Sequence, residues 1–428
     1  LKDDGMSSNA SRQLAAWDPY DQNLSADFFD PEWMFGVREG FDVVIGNPPY
    51  GFRKVLSKDE KKYFRKVEKI RFPSGDVAEL FIIKTLSNLV SDEGQLTFII
   101  PKKSLYGDSW SNVRTIWTKN SLRFLMDASQ AFDNVLLEQV AFMLKKRPLV
   151  NGANVIVGCL NSDTESISIF GKYPLRTLFT KQMNCAQIYR GGYPQCLLDK
   201  IDSNALNDSS KVLKAEIGIS NITSHLTFQA DGNHPCVKGI DIVRYGLKSK
   251  TRYLKGEVAE RFVEEYGHAK LLAQEIIAHI KNPYPHISLA LLWDENGRLF
   301  NDTCVEVKVL DKSFDPLFLL GYLQSRFVAW YAYNLIYNRA IRTMHFINYY
   351  VTQIPLPEKV AGSKEHQEPV IRLVEQIRTA KKSDPAADVS ELEAEIDRLV
   401  YDLYGLTEEE IAIVEGRTAD MQATKGEA

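Results

Sequence analysis

The sequence predicts an α/β domain, then a mixed α+β domain and a C-terminal helical segment. Between residues 41 and 147, apolar strands alternate with a helical pattern over short links. After residue 150, short strands and Asn, Ser and Gly turns dominate, and from residue 363 the apolar spacing becomes helical. We therefore expect domains at 1–150, 151–360 and 361–428.

The first domain contains four predicted strands. The stretch FDVVIG at 41–46 is short, apolar and β-branched, which is typical of a strand buried on both faces. Similar runs predict strands at 94–101, 122–129 and 139–147, and residues 76–90 carry apolar side chains at helical spacing. Strand–helix–strand order with short links predicts a parallel sheet.

Local signals also predict elements in the remainder of the chain. Residues 289–310 predict a hairpin that turns at Asn296 and Gly297, and residues 316–336 predict one apolar helix. Two capping boxes predict helix starts near the C-terminus, and a glycine predicts the end of the first of these helices. The residues are Ser390 with Glu393, Thr407 with Glu410, and Gly405.

Composition narrows the class of protein. The 428 residues are 44% hydrophobic with a net charge of −4, so total charge indicates no particular partner. The five cysteines form no CxxC pair, and no apolar run approaches the ~18 residues of a membrane span. We expect a reduced, cytoplasmic protein with no structural zinc and no membrane partner.

Charge is unevenly distributed along the chain. Residues 51–71 carry nine Lys and Arg against three Asp and Glu, whereas residues 361–428 carry eight against sixteen. A basic segment in such a chain fits contact with an anion, and a solvated helix explains the same pattern.

The strand at 41–46 is followed by Asn47, Pro48, Pro49 and Tyr50. Proline fixes φ and donates no backbone hydrogen bond, so the strand ends here in a stiff turn. Ligands of open α/β sheets bind at the carboxyl ends of strands. The turn therefore predicts a binding site in which Asn47 and Tyr50 are held in place.

Two acceptors in this turn suit an exocyclic amine. The side-chain oxygen of Asn47 and the carbonyl of Pro48 would each accept one N–H of an adenine amine, which localises the nitrogen lone pair for attack. Tyr50 offers a ring on which a purine stacks, an interaction of ~1–3 kcal/mol per base.

The stretch FDVVIGNPPY resembles the catalytic motif of the DNA adenine-N6 methyltransferases of restriction–modification systems. The resemblance implies a partial Rossmann-like methyltransferase sheet, with Asn47, Pro48, Pro49 and Tyr50 as catalytic residues. It also implies that the adenine is extruded from double-stranded DNA. The methyl group would come from S-adenosylmethionine by direct transfer, without a metal or a covalent intermediate.

The resemblance continues through two later segments of the first domain. Residues 75–105 are similar to the family's next helix and strand, where Phe81 matches a cofactor-binding position. Residues 131–146 are similar to a later aromatic motif, in which Phe132 would stack on the extruded base. Ordinary core packing is an equally good explanation of Phe132.

The C-terminal half is similar to the family's target-recognition domain at 234–357. Six Lys and Arg in residues 236–255 face only Asp241, which fits contacts to the DNA backbone. Two further arginines lie among aromatic residues at 338–350. The predicted DNA-binding residues are Arg53, Lys54, Lys238, Arg244, Lys250, Arg252, Arg339 and Arg342.

One feature departs from the family pattern. The family's cofactor site is built on a Gly-rich strand–turn–helix, and no such loop precedes Asn47. The resemblance therefore implies an N-terminally truncated chain without its main cofactor loop. We expect this chain alone to bind DNA in a salt-sensitive manner without methyl transfer.

Two alternatives remain at this stage. The chain is either a DNA-binding specificity module or inactive remnant, or it is part of a fused restriction–methylation polypeptide with a nuclease partner. Asp302, Glu306 and Lys308 follow the order of metal-nuclease residues, but Asp302 and Glu306 are too close in sequence, and the alternation around Cys304 fits an ordinary strand.

Overall fold

The structure is a computed structural model of the chain. It describes residues 11, 12, 15, 16, 18, 21, 30–51, 56–129, 137–148, 153–161, 166–180, 185–248, 250–342 and 344–417. The chain forms two compact units. The N-terminal unit comprises residues 1–104 and 109–156, and the C-terminal unit comprises 105–108 and 157–428.

The N-terminal unit contains both helices and strands, as the sequence predicts. Its elements are α1 (Pro31–Phe35), β1 (Phe41–Gly46), α2 (Lys58–Lys66), α3 (Val77–Asn88), β2 (Val90–Pro101), α4 (Ser111–Lys119), β3 (Asn120–Asp127) and β4 (Gln139–Pro148). The next strand, β5 (Asn154–Asn161), begins in this unit and ends in the C-terminal unit.

The sheet of this unit is mixed and not purely parallel. Four strands lie in the order β1–β2–β4–β3. β1 and β2 are parallel, with Gly46 opposite Phe98, whereas β4 is antiparallel to both β2 and β3. The prediction of a parallel sheet was therefore wrong for β4. Short links between neighbouring elements do not determine which strands pair.

β1 is less buried than its composition predicts. Val43 and Ile45 are 53% and 75% exposed, so the expected burial on both faces is wrong. β2 and β4 form the core in its place, with Leu96, Phe142 and Leu144 fully buried. The apolar character of FDVVIG predicts a strand correctly, but it does not establish what covers that strand.

The carboxyl end of β2 leads into a buried ion pair. Lys102 Nζ lies 2.7 Å from Asp127 Oδ2 and 3.5 Å from Glu138 Oε1, and it donates to Ser129 Oγ at 3.0 Å. Lys102 and Asp127 are almost wholly buried. These contacts join the ends of β2, β3 and β4, because each strand contributes at or beside its terminus.

The C-terminal unit begins with many short strands and two α-helices. These elements are β6 (Ser166–Pro174), α5 (Gln195–Asn204), β7 (Leu213–Ile217), β8 (Leu226–Thr227), β9 (Asn233–Val237), β10 (Ile242–Val243), β11 (Gly246–Leu247), β12 (Arg252–Lys255), α6 (Gly256–Tyr266), β13 (Lys270–Gln274), β14 (Ala278–Ile280), β15 (His286–Ser288), β16 (Leu291–Asp294), β17 (Leu299–Phe300) and β18 (Cys304–Val309).

Two four-stranded sheets dominate this unit. One has the order β17–β9–β12–β8, and the other has the order β16–β13–β18–β7. Phe300 and Cys304 are fully buried in an apolar cluster that also contains Val237 and Leu272. The prediction of a mixed α and β region with short strands after residue 150 is thus confirmed.

The predicted hairpin at 289–310 is wrong. A turn does follow β16, and Gly297 adopts a left-handed φ of 61°. However, β17 pairs with β9, and β13 lies between β16 and β18. The Asn-Gly signal predicts the turn, while long-range pairing decides the partners of its flanking strands.

Helices complete the C-terminal unit. They are α7 (Pro316–Leu323), α8 (Arg326–Tyr331), a π-helix (Ala332–Ile336), α9 (Asn348–Val351), α10 (Lys364–Ser383), α11 (Ser390–Tyr404) and α12 (Glu408–Val414). The single helix predicted at 316–336 is therefore broken. Ser325 interrupts it by accepting from Val328 N at 3.3 Å as the N-cap of α8.

The predicted helix ends are confirmed in part. Thr407 and Glu410 form the capping box of α12, and Gly405 ends α11 with a left-handed φ of 63°. The box at Ser390 and Glu393 is wrong, because Ser390 is already the first residue of α11. In the part of the chain that the structure describes, no helix is long and apolar enough to cross a membrane.

Candidate functional site

The Asn-Pro-Pro-Tyr turn lies where β1 ends, beside the carboxyl end of the parallel strand β2. Asn47 is exposed and Pro48 is buried. A Cβ on Gly46 would lie 2.9 Å from the ring of Phe98. Glycine at this position therefore allows the phenylalanine of β2 to pack directly against the start of the turn.

Tyr50 is held by two oxygens. Its hydroxyl donates to Asn47 Oδ1, and Ile99 O lies 2.9 Å from the same hydroxyl. Partial burial raises the pKa of Tyr50, and the charge of Asp76 raises it further. The hydroxyl therefore remains protonated at neutral pH and is able to donate to either oxygen.

Asp76 connects the turn to helix α3. Its Oδ1 accepts from Ala78 N at 2.9 Å, which caps the helix, and its Oδ2 accepts from Gly51 N at 3.3 Å. Burial raises the pKa of Asp76, while these two N–H donors lower it. The sequence analysis did not identify this residue, although Asp before an apolar helical pattern is a recognisable N-cap signal.

Glu79 supports the first turn of α3 from inside the unit. It is fully buried, accepts from Ser74 N at 2.9 Å and also accepts from Asn112 Nδ2 at 3.0 Å. Burial raises the pKa of Glu79, and the charge of Asp76 adds to the effect. These contacts fix the helix end that carries Asp76.

The remaining predicted residues of this unit divide into two groups. Phe81 projects from α3 as an exposed ring, so it is accessible to a ligand. The others, Arg53, Lys54 and Phe132, lie outside the described residues. Their assigned roles stay predictions.

The described residues match only part of an S-adenosylmethionine site. Phe81 offers an apolar face for a purine ring. The nearby carboxylates of Asp76 and Glu79 already accept hydrogen bonds from Gly51, Ala78, Ser74 and Asn112. In the described part of the chain, both carboxylates therefore already have structural roles.

Two segments of the chain match known domain families. Residues 6–132 match the Eco57I restriction-modification methylase, and residues 234–356 match the TaqI-like C-terminal specificity domain. The Asn-Pro-Pro-Tyr turn thus lies in the segment that is similar to a restriction–modification methylase, and the basic stretch after residue 235 lies in the segment that is similar to a specificity domain.

Longer matches agree with these assignments. The chain is 27% identical over 306 residues to the putative type II restriction enzyme and methyltransferase RM.MjaORFECS2P of Methanocaldococcus jannaschii, covering 68% of this chain and 25% of that protein. A solved structure of the type IIL restriction-modification enzyme MmeI in complex with DNA shares the fold. Its TM-score is 0.51 at 9% identity, covering 89% of this chain and 57% of that one.

The chain therefore spans about a quarter of the curated relative and just over half of the structural one.

The C-terminal unit carries an exposed aromatic ring in contact with two cations. Phe228 is 49% exposed, with Lys250 Nζ 4.0 Å and Arg252 Cζ 4.9 Å from its ring centre. Arg252 Nε donates to Asp241 at 2.9 Å, and Asp241 also accepts from Lys238 N at 3.0 Å. The structure thus brings Lys250 and Arg252 to Phe228, a residue that the sequence analysis missed, and places the backbone of Lys238 at Asp241, the partner of Arg252.

The other predicted arginines of the specificity domain make different contacts. Arg244 Nε donates to Glu393 Oε1 at 2.8 Å, and Arg339 Nη2 donates to Tyr193 Oη at 3.0 Å. Arg342 is exposed. Arg244 and Arg339 therefore contribute to internal packing, and their binding roles stay predictions.

No metal site is formed by the side chains of Asp302, Glu306 and Lys308. Glu306 is buried against His268 at 2.9 Å, and Lys308 lies 2.6 Å from Glu216. Within the described ranges, no group of three or more His, Cys, Asp or Glu side chains could hold a metal ion. β18 is an ordinary strand, as the alternation around Cys304 predicts.

Proposed function

We propose that the polypeptide containing these residues methylates the N6 amine of adenine at one DNA sequence, as part of a restriction–modification system. The observation that carries the proposal is the turn after β1, where an exposed Asn47 follows a strand end within a restriction–modification methylase domain. The amine acceptors proposed here are Asn47 Oδ1 and the carbonyl of Pro48.

Together, these two groups would accept hydrogen bonds from both N–H groups of the amine. The adenine lone pair is delocalised into the ring, so the free amine is a weak nucleophile. Two acceptors favour the pyramidal amine and place its lone pair outward. S-adenosylmethionine, when bound, supplies the methyl group, and this chain's own residues hold and orient the base.

Tyr50 provides a ring beside the acceptors. Its hydroxyl bond to Ile99 O remains available when Asn47 Oδ1 turns to the substrate. The ring then stacks on the extruded adenine, for ~1–3 kcal/mol. The ring of Phe132 is proposed to stack on the other face of the base.

DNA is the proposed partner of the specificity domain. Lys238, Lys250 and Arg252 are proposed to contact phosphates, because Lys250 and Arg252 lie against one exposed ring and the backbone of Lys238 shares Asp241 with Arg252. Phosphate contacts fix the register of a protein on DNA, while groove contacts read the bases. Arg53, Lys54, Arg244, Arg339 and Arg342 are further proposed contacts.

A DNA-binding specificity module without catalysis is the second candidate. The observation that favours it is the engagement of Asp76 and Glu79 in structural hydrogen bonds, which leaves the cofactor site incomplete among the described residues. Such a protein would read a DNA sequence on behalf of another subunit.

One experiment separates the two candidates. The polypeptide is expressed in a host without adenine methylation, and N6-methyladenine is mapped across the host genome. Methylation confined to one sequence, and lost in Asn47→Ala but kept in Asn88→Ala, is the expected result. Asn88 is a matched control because it is an exposed asparagine of the same unit. Sequence-specific DNA binding without any methylation would establish the second candidate.

A further inference from the structure

The C-terminal unit contains a cavity of about 650 Å³ at one end of α8 and α11. That volume lies within the range of ligand pockets in proteins. Its lining includes three arginines and several aromatic rings. The main members are Tyr193, Arg244, Arg326, Trp330, Tyr333 and Arg339, and we call it the arginine–aromatic cavity.

The backbone beside this cavity is unusual in two ways. Tyr333 lies in the π-helix, a rare form that is frequent at functional sites. Asn338 and Arg339 follow it with left-handed φ values of 50° and 56°. Non-glycine residues rarely adopt this conformation, and two in succession require support from the surrounding structure.

The support comes from the side chain of Asn338, which is fully buried. Its Nδ2 donates to Ala186 O at 2.8 Å, and its Oδ1 accepts from Ile188 N at 2.9 Å. Arg339 N donates to Tyr333 O at 2.7 Å. These contacts hold an unfavourable backbone so that Arg339 and Tyr333 both line the cavity.

The lining contains a donor without a partner. Trp330 Nε1 is buried, and no residue in the described part of the chain accepts its proton. Such an unsatisfied donor is costly, and a ligand acceptor that reaches it would satisfy it. The rings of Tyr193 and Trp330 meet edge to face at 5.0 Å, which forms a firm apolar wall.

Arg326 gives the cavity an anion-binding group. Its Nε lies 3.3 Å from Asp397 Oδ2, and its side chain is 60% exposed. Among the described residues, none accepts a hydrogen bond from its Nη groups. Planar guanidinium groups match phosphate oxygens in pairs.

We propose that the arginine–aromatic cavity binds a nucleotide, with the base among Tyr193, Trp330 and Tyr333 and the phosphate at Arg326. The nucleotide is either a free monophosphate or one residue of a nucleic-acid strand. This site is separate from the turn at Asn47, and it stands whether or not the polypeptide methylates DNA.

Indole-labelled protein provides the test. The full 428-residue chain is produced with ¹⁵N-indole tryptophan, and the Nε1–H signal of Trp330 is assigned from its absence in Trp330→Phe. The signal is then followed during titration with adenosine monophosphate, adenosine and ribose 5-phosphate. We expect a saturable shift with the monophosphate, at about tenfold or more higher affinity than with either fragment.

A variant tests the phosphate position independently of Trp330. In Arg326→Gln, the affinity for adenosine monophosphate should fall to that for adenosine, which itself should not change. Arg372→Gln is the matched control, since Arg372 is an exposed arginine outside the cavity. Unchanged affinity for the monophosphate in Arg326→Gln would overturn the proposal.

A second titration identifies the source of the nucleotide. A short single-stranded oligodeoxynucleotide that shifts the Trp330 signal at lower concentration than the monophosphate indicates a residue of a strand. The reverse order indicates a free nucleotide. If neither ligand moves the Trp330 signal, the proposal is wrong.

Discussion

The hydroxyl of Tyr50 donates to Asn47 Oδ1, the oxygen that the proposed mechanism assigns to the adenine amine. The Tyr50 hydroxyl and the adenine amine would therefore compete for the same oxygen of Asn47. While the base is absent, the tyrosine occupies the acceptor and keeps the asparagine in one orientation. When the amine arrives, the hydroxyl retains its second acceptor, Ile99 O at 2.9 Å, so the exchange leaves no buried donor unpaired.

Substitution of Tyr50 separates the ring from the hydroxyl. Tyr50→Phe keeps the stacking surface and removes the competing donor, so affinity for DNA with a mismatched, extruded adenine should change by less than about threefold. Tyr50→Ala should weaken the same binding by ~1–3 kcal/mol. Fluorescence titration with 2-aminopurine at the target position measures both. Equal losses in the two variants would show that the ring makes no contact with the base.

Loss of Asp76 should lower methylation, whereas loss of another helix cap should lower only stability. Asp76→Ala removes the cap of α3, at about 1 kcal/mol, together with the contact to Gly51. Ser57→Ala is the control, because Ser57 caps α2 in the same way without contacting the turn. Urea unfolding should give similar losses of stability, while methylation should fall only in Asp76→Ala. Similar methylation in both variants would contradict a positioning role for Asp76.

Lys250 and Phe228 should affect DNA binding in different ways, because one is a cation and the other is an apolar ring. Lys250→Gln should weaken binding to all sequences alike and reduce the slope of log affinity against log salt by about 1. Phe228→Ala should lower affinity without changing that slope, because a ring releases no counterions. Filter binding at several salt concentrations measures both effects. Arg398→Gln, an exposed helix residue, serves as the control.

Protonation of Asp397 should make stability depend on pH. Burial raises its pKa from 3.8 to about 6, so the folded chain binds this proton more tightly than the unfolded chain does. The resulting stability is fully present below about pH 4 and is lost as pH rises through 6. Asp397→Asn should remove this dependence, which amounts to about 3 kcal/mol at most. Urea unfolding at pH 4 and at pH 7 measures the difference in unfolding free energy.

The control for this prediction is Asp402→Asn, an exposed carboxylate on the same helix. It should leave the difference in unfolding free energy between pH 4 and pH 7 unchanged. The same difference in Asp397→Asn as in the natural chain would show that another group is responsible.

Removing Lys102 should destabilise the N-terminal unit. Lys102→Met leaves Asp127 and Glu138 without their cation inside the unit, and such a change typically costs 3–5 kcal/mol, an order-of-magnitude figure. The exposed ion pair of Arg372 and Glu368 provides the comparison, since Arg372→Met should cost less than about 1 kcal/mol. Equal denaturation midpoints for the two variants would contradict a structural role for the buried pair.

Local chemistry accounts for what the sequence predicts well. Pro48 and Pro49 end β1 because neither can continue a strand, and Thr407 with Glu410 starts α12 because the two residues satisfy each other's backbone donors. These outcomes depend on a few neighbouring residues. The family resemblance at residues 41–50 likewise depends on a short stretch, and the match to the methylase domain confirms it.

Long-range relationships account for what the sequence does not predict. Asp76 reaches Gly51, and Lys250 reaches Phe228, only because separate elements are brought together. The position before α11 shows the same limit at shorter range. Ser390 has the right residue type for a cap, yet Val389 occupies the cap position and Asp388 accepts from Ser390 N. The roles of Arg53, Lys54 and Phe132 stay predictions.

The strand order β1–β2–β4–β3 has a consequence for synthesis on the ribosome. β4 is made last of the four and inserts between two strands that already exist, so the sheet cannot grow by addition at one edge. Until residues 139–148 have left the exit tunnel, β2 and β3 both present unpaired edges, which favour association with other nascent chains. A pause in translation before Gln139 therefore prolongs the most aggregation-prone stage in the folding of this unit.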